Sequence, residues 1–323
     1  MIKIKNQAVI RRLAFRELKS NCKMNLVLMF AIVLTCVLFT ALISVGGSLI
    51  NGTQQETMRQ VGGDRMAGLK CVLPEDYEKV KADSETRDVV YRIVVGVVAD
   101  ENLKNISAEV NCAGNEDAAK ALFCFPETGT LPKGQDEIAM SSIVMDELKI
   151  PYKLGTGVPL KINIDGEILE HTFTLCGWWK GEKVAMAQEC WVSRSFADEA
   201  APAPSESFYE RDDPGYAGYW MVDFNYANSW NIESRTNELI RRLYGNNENV
   251  PDAGVNWAYL TSSVDISSLI GGIALLLLVF AAGYLIIYNI FHINIAANIR
   301  NYGLLKTIGM TSKQIRRMVM MQA

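Results

Sequence analysis

The sequence has few residues of the kinds that build most catalytic and metal centres. Its 323 residues include only two histidines, His171 and His292, and none of its seven cysteines stands in a C-x-x-C spacing. No Ser–His–acid or Cys–His arrangement can be assembled from so few histidines, and the cysteine spacing supports neither a zinc site nor a thioredoxin-like centre. A G-x-x-x-x-G at 63–68 has Leu69 where a phosphate-binding loop needs lysine. We therefore predict no catalytic residue, metal site or cofactor.

Charged residues are absent from two long windows, residues 24–55 and 266–299. Each window contains about 20 mostly apolar residues, which is enough helix to cross the ~30 Å hydrocarbon layer of a membrane. We predict transmembrane helices at 24–48 and 266–293. A signal peptide is the alternative for the first window and a buried core helix for the second, but the length of each apolar run favours two spans.

Acidic residues are scarce at both ends of the chain. Residues 1–23 carry seven basic residues and one acid, residues 300–323 carry five basic residues and no acid, and residues 51–265 hold 20 basic against 35 acidic residues. Because basic flanks stay in the cytoplasm, we predict that both ends are cytoplasmic and that the middle lies outside the cell membrane. Topology and lipid headgroups account for the basic ends, so we expect no binding to nucleic acid.

The segment 49–265 is predicted to be an α+β extracytoplasmic domain, with two subdomains and with stalk helices or ordinary linkers at 46–63 and 258–268. Strand and helix patterns alternate along it, including a strand at 88–100. Asp165-Gly166 between two alternating runs predicts a two-residue hairpin turn. That turn places Ile162 opposite Leu169 and Lys161 opposite Glu170. Cys112 and Cys124 either form a disulfide or remain buried free thiols.

Both basic ends also carry apolar residues at helical spacing. In residues 1–23, Val9, Leu13 and Leu18 predict an amphipathic helix on the inner membrane surface. In residues 294–323, the second span is expected to continue past Arg300, with three apolar residues on one face, Leu304, Leu305 and Ile308. Gly309 would end that helix in a left-handed conformation. A capping box of Thr311 and Gln314 would then start a second helix at Ser312, with Ile315, Met318 and Val319 on its apolar side.

The stretch "RNYGLLKTIGMTSKQIRRMVMMQA" (300–323) resembles the segment after the second membrane helix in the FtsX/MacB-like permeases of ABC transporters. That segment commonly reads R-x-x-E-I-G-L-L-R-A-L-G-A-S-x-x-Q-I, and Asn301-Tyr302 in place of Glu-Ile is typical of Gram-positive members. "LAFRELKSN" (13–21) resembles the family's N-terminal element, and residues 131–177 resemble its MacB-like periplasmic core. The matching positions are Gly303, Leu304, Leu305, Gly309, Gln314 and Ile315.

The resemblance implies that residues 294–323 contain the coupling helix of a type VII, mechanotransmission transporter, which docks on a cytoplasmic ATPase. The implied ATPase-coupling residues are Gly303, Leu304, Leu305, Lys306, Ile308, Gly309, Met310, Thr311 and Gln314. Within this set, Leu304, Leu305, Ile308, Gly309 and Met310 would form the docking knob. Lys306, Lys313 and Arg316 would face acidic partner residues or headgroups.

By resemblance, the chain is a non-catalytic permease subunit whose partners are a cytoplasmic ABC ATPase, a second permease copy or half, the lipid bilayer and an extracytoplasmic cargo or effector. Peptides, antimicrobial peptides, lipid-linked molecules and lipoproteins are the implied cargo classes. Family members have at least four membrane helices, so the sequence is expected to be the N-terminal part of a longer permease. The alternative is a two-span receptor, which predicts a heptad helix continuing after the second span.

Overall fold

The structure, a computed structural model, describes residues 7–103, 106–212, 215–245, 247, 249–259 and 266–322. The chain divides into two compact units. The helical unit comprises Met1–Ile50 and Val264–Ala323, and the α+β unit comprises Asn51–Ser263. The helices of the described residues are α1 (Gln7–Ser20), α2 (Cys22–Val61), α3 (Pro74–Ala82), α4 (Glu116–Ala121), α5 (Ser142–Glu147), α6 (Arg194–Ala200), α7 (Ile232–Tyr244), α8 (Ile266–Thr307) and α9 (Ser312–Gln322).

Two helices are long and apolar enough to cross a membrane among the residues that the structure describes. The apolar segments are Met29–Val61 in α2 and Ile270–Asn289 in α8, and within each an apolar stretch of 18 residues is only 6% buried. An apolar helix that is exposed along its length matches a lipid environment better than a water-soluble core. The predicted arrangement of two candidate membrane helices flanking an α+β domain is thereby confirmed.

Within the helical unit, α2 and α8 approach each other closely at a glycine. A Cβ atom built on Gly283 would lie 2.7 Å from the Cγ2 atom of Thr35. One turn away the rings of Phe39 and Phe280 make an edge-to-face contact, with centroids 5.9 Å apart. Small residues at such a contact let helix backbones approach in a membrane, where van der Waals packing drives association.

The α+β unit is built on one sheet, and ten strands are found in the described part of the chain. They are β1 (Ala67–Val72), β2 (Arg87–Val98), β3 (Ala108–Ala113), β4 (Thr128–Gly129), β5 (Glu137–Ser141), β6 (Gly157–Ile164), β7 (Glu167–Trp179), β8 (Gln188–Val192), β9 (Trp220–Asn225) and β10 (Ala253–Val255). The order across the sheet is β10-β1-β9-β2-β3-β8-β5-β7-β4, and β6 pairs with both β2 and β7. The expectation of two subdomains is therefore wrong, because the β3–β8 and β2–β6 pairings join both halves of the domain into one sheet.

The Asp165-Gly166 hairpin forms with the predicted register. Ile162 lies opposite Leu169, and Lys161 lies opposite Glu170 with 2.7 Å between the charged atoms. All seven cysteines fall within the described residues and all are free, so Cys112 and Cys124 are not bridged. The helical continuation of the first stalk segment is confirmed to Val61. The second stalk segment, 258–268, lies partly outside the described residues.

One face of the sheet carries buried charged groups. Val110 and Cys112 on β3 belong to the main apolar core, so Asn111 between them points to the opposite face. There the Nδ2 atom of Asn111 donates to the Oε2 atom of Glu189 at 2.7 Å. The Nε atom of Arg92 lies 4.0 Å from the other carboxylate oxygen of Glu189. Helix α4 packs against β2 and β3, Glu189 is buried, and the side chain of Arg92 is 21% exposed.

Candidate coupling site

The candidate site begins at the C-terminal end of α8, where the chain turns sharply. Gly309 has φ +97°, a left-handed conformation that favours glycine. The Met310 N–H donates to the carbonyl of Leu305 at 3.0 Å, and the Gly309 N–H donates to the carbonyl of Lys306 at 3.2 Å. These two bonds form a Schellman motif, which satisfies the last carbonyls of the helix. The predicted glycine stop is confirmed.

The second half of the turn is the start of α9 at Ser312, as predicted. The Thr311 N–H donates to the side-chain oxygen of Gln314 at 2.9 Å, which is one half of a capping box. In the other half of a capping box, the Thr311 hydroxyl would accept from the Gln314 N–H. Here the Gln314 N–H instead donates to the Thr311 carbonyl at 2.9 Å, and the Thr311 hydroxyl donates to the side-chain oxygen of Gln314. The elbow, defined here as residues 303–314, therefore has hydrogen-bonded caps on both sides of Gly309.

A small apolar cluster connects the elbow to α1. Its buried members are Ile10 and Ala14 from α1 and Met318 from α9, and Leu305 and Met310 of the elbow pack against them. Met318 is fully buried and Ala14 is 2% exposed. The cluster thus joins α1, the end of α8 and α9 into one packed group.

The remaining apolar residues of the elbow point away from this cluster. Leu304 is 60% exposed and Ile308 is 78% exposed. Residues four apart in a helix share a face, whereas adjacent residues are rotated by about 100°. Leu305 therefore packs inward beside an exposed Leu304, and the left-handed turn at Gly309 returns Met310 to the cluster. Leu305 therefore does not share the exposed face of Leu304 and Ile308, and Met310 also packs against the cluster. The docking role of these residues stays a prediction.

The glycines and polar residues of the elbow are mostly on the surface. Gly303, Lys306, Gly309 and Thr311 are exposed, and Gln314 is half-buried by its cap. Lys313 and Arg316 on α9, which were predicted to act together with Lys306, are also exposed. The exposed elbow surface therefore combines an apolar pair with nearby positive charge.

The predicted placement of Val9, Leu13 and Leu18 of α1 on the membrane surface stays a prediction, and a different face of α1 packs within the protein. Val9 is 47% exposed, while Ile10 is 7% exposed and Leu13 is half-buried. Ile10, Leu13 and Ala14 follow the i, i+3, i+4 spacing of one helix face, which the sequence contains. The signal was missed because alanine is a weak hydrophobic marker and because the partner surface on α9 is distant in sequence.

An amide contact lies beside the apolar cluster. The Nδ2 atom of Asn21, between α1 and α2, donates to the Oδ1 atom of Asn298 on α8 at 3.4 Å. Asn298 is 6% exposed. One helical turn later, burial raises the pKa of Tyr302, with Glu17 of α1 as a second cause. These contacts connect the α1–α2 junction to the last turns of α8.

Residues 271–323 match the family model of the FtsX-like permease C-terminal domain. This segment is FtsX-like. The predicted resemblance is confirmed for it, and the FtsX-like segment contains the whole elbow. No curated protein matches the chain. Within the described residues, no group of three or more His, Cys, Asp or Glu side chains is placed to hold a metal ion.

Part of the chain is also similar to solved structures. One is the periplasmic region of MacB from Actinobacillus actinomycetemcomitans, at 11% identity and a TM-score of 0.39, covering 62% of this chain and 92% of that one. Another is the extracellular domain of the noncanonic ABC-type transporter YknZ from Gram-positive bacteria, at 14% identity and a TM-score of 0.37. It covers 59% of this chain and 99% of that one.

Proposed function

We propose that the chain is a permease subunit of an ABC transporter and that its elbow docks on a cytoplasmic ATPase. The observation that carries the proposal is the division of the FtsX-like elbow into an exposed side, Leu304 and Ile308, and a packed side, Leu305 and Met310. A part that transmits force needs both a free contact surface and a firm attachment to the elements that it moves. The ATPase activity belongs to the partner chain.

The exposed side has the composition of a protein docking surface. Two large apolar side chains four residues apart are the anchor pattern of a helix that inserts into a groove. Lys306, Lys313 and Arg316 would surround these anchors with positive charge and select a partner with acidic residues at the rim. Gly309, Thr311 and Gln314 hold the shape of the elbow, Gly303 lies within α8, and none of the four contributes an anchor.

The packed side offers a route from the elbow to the first candidate membrane helix. Leu305 and Met310 contact the cluster that includes Ile10 of α1, and α1 is followed after a single residue by α2. The Asn21–Asn298 hydrogen bond gives a second connection at the same place. A displacement of the elbow would therefore act on α2 and α8 together.

The α+β unit has a matching attachment for the end of α2. Arg59 in the last turn of α2 forms an ion pair with Glu182 in the loop before β8. The Nδ2 atom of Asn256 donates to the carbonyl of Gly63 at 2.8 Å, just after α2. Asn256 also directly precedes the short helix Trp257–Tyr259, where the chain continues toward α8. The arriving and departing segments of the domain are thus tied to each other.

The proposal includes a topology and a set of partners. Segments 1–23 and 294–323 would be cytoplasmic, 24–48 and 266–293 would cross the cell membrane, and 49–265 would work outside it. A second permease copy or half would complete the transporter. Export or extraction of a peptide, lipid-linked molecule or lipoprotein, or antimicrobial peptide resistance, are the functions that suit a domain moved in this way.

The test is a comparison of elbow variants in complex with the ATPase. The partner is first isolated with the tagged protein from its own membranes and identified by a phosphate-binding loop in its sequence. We expect Leu304→Ser and Ile308→Ser to weaken its binding by about tenfold each, as for anchors at an interface centre. Met320→Ser is the matched control, because Met320 is 70% exposed on α9 but lies outside the elbow.

Unchanged ATPase binding and ATP turnover in the Leu304→Ser, Ile308→Ser double variant would contradict the coupling role. The receptor alternative is disfavoured by the end of α8 at Thr307 and by the left-handed Gly309, since a heptad output helix would continue through this point.

A further inference from the structure

A groove lies between α1 and α9, away from the exposed anchors of the elbow. Its volume is about 500 Å³, and it is lined by Ala8, Arg11, Ala14, Phe15, Leu18 and Met321. Four of the five lining residues on α1, at positions 8, 11, 15 and 18, recur at three- and four-residue spacing, so they form one stripe along the helix. Five of the six lining residues are apolar, and the single charged residue is cationic.

The exposed residues of the groove combine an aromatic ring with a guanidinium group. Phe15 is 64% exposed and Met321 is 42% exposed, although both are large and apolar. The Cζ atom of Arg11 lies 6.0 Å from the centroid of the Phe15 ring. A ligand that filled the groove would therefore meet positive charge and apolar surface at the same time.

The helices that form the groove are strongly basic. Helix α1 contains four basic residues and one acid, Glu17, and α9 contains three basic residues and no acid. A single residue separates α1 from α2, which carries the first candidate membrane segment. An anionic amphiphile near a membrane surface complements both the charge and the apolar lining.

We propose that the groove between α1 and α9 binds one anionic phospholipid, with the Arg11 guanidinium on the headgroup phosphate and an acyl chain along Phe15, Leu18 and Met321. Guanidinium binds phosphate through two parallel hydrogen bonds, a geometry that lysine lacks. In the proposed topology the lipid belongs to the cytoplasmic leaflet. The bound lipid would fill the surface that α1 and α9 share and so would stabilise the group of helices that carries the elbow.

The experiment measures phospholipid retention by the full chain, purified in a neutral detergent and analysed by native mass spectrometry after loading with phosphatidylglycerol or phosphatidylcholine. A neutral micelle has no anionic surface, so long-range attraction of basic residues is removed and the specific contact remains. We expect Arg11→Gln to lower phosphatidylglycerol retention by about tenfold, equal to about 1.4 kcal/mol. Arg11→Lys should fall between Arg11→Gln and the unaltered protein, because it keeps the charge but loses the paired hydrogen bonds.

Arg12→Gln is the matched control, since it removes the same charge from an exposed neighbour outside the groove. Phe15→Ser should lower retention without changing charge, and circular dichroism checks that each variant keeps its helices. Equal losses in Arg11→Gln and Arg12→Gln would overturn the proposal, as would equal retention of phosphatidylcholine and phosphatidylglycerol by the unaltered protein. No ATPase is present in the assay, so either result leaves the proposed coupling role untouched.

Discussion

Replacing Glu189 by glutamine is expected to stabilise the α+β unit above neutral pH. Glu189 is 8% exposed on β8, and burial raises the pKa of its carboxyl to about 7, from an ordinary value of 4.5. Arg92 opposes this rise in pKa, while Glu109 adds to it. Asp223 on β9 faces the same group of charges, and burial raises its pKa as well. The ionised form of Glu189 is therefore costly in the folded state despite its cationic neighbour.

The size and sign of the effect follow from the difference between the folded and unfolded states. A pKa raised by about 2.5 units corresponds to about 3 kcal/mol at 1.36 kcal/mol per unit. Because the folded protein holds the Glu189 proton more tightly, the contribution of Glu189 to stability is most favourable below pH about 4.5, becomes less favourable as pH rises, and levels off above pH about 7. Glutamine cannot ionise, so the stability that Glu189→Gln adds to the folded state grows from near zero at low pH to about 3 kcal/mol above pH about 7. This corresponds to roughly 6–12 °C in the unfolding midpoint of a unit of this size.

The assay is thermal unfolding of the full chain in detergent at about pH 5 and about pH 8, followed by tryptophan fluorescence. All six tryptophans lie in the α+β unit, so the signal reports on that unit alone. Glu78→Gln, the same chemical change at an exposed position of α3, is the control and should shift neither midpoint. If Glu189→Gln lowers the midpoint at both pH values, the attraction between Glu189 and Arg92 outweighs the cost of burial and the reasoning is refuted.

Two glycines of the helical unit give further predictions. Gly309→Ala places a residue with a Cβ in a left-handed conformation, which costs about 1–2 kcal/mol of folding free energy. It should therefore speed tryptic cleavage within the elbow. Gly303→Ala, which lies inside α8, is the control and should not change the cleavage rate. Gly283→Val should push α8 away from Thr35 on α2. The Thr35 hydroxyl donates to a backbone carbonyl, and this hydrogen bond holds the Thr35 methyl group in place. Spin-label distances between α2 and α8 would show the separation, and Gly271→Val, which meets no atom within 4 Å, should leave them unchanged.

Local sequence signals predicted the turns and helix ends well. The Asp165-Gly166 hairpin and the Gly309 stop depend on backbone conformations that few residues tolerate, so two or three letters are enough to locate them. Long uncharged runs were equally informative, because a membrane span is defined by length and polarity over about 20 residues.

The same local patterns did not predict contacts between segments that are distant in the sequence. Arg92 lies in a strand whose alternation suggests an exposed polar residue, yet α4 packs against that strand and the Arg92 side chain is only 21% exposed beside Glu189. Likewise, the cluster of Ile10 with Met318 brings together residues from opposite ends of the sequence. Each of these sites exists only because of a partner that the local sequence does not specify.

The consecutive leucines of the elbow show why burial is needed before a motif can be given a role. Leu304 and Leu305 both match the permease pattern, but one is 60% exposed and the other packs against α1 and α9. In the proposed mechanism Leu304 contacts the ATPase, and Leu305 passes the displacement to the cluster. In that mechanism, loss of Leu304 would weaken docking and loss of Leu305 would loosen the elbow, so either change would uncouple the proposed transporter. In the proposed mechanism the two adjacent leucines therefore have different physical functions, one at each face of the same helical turn.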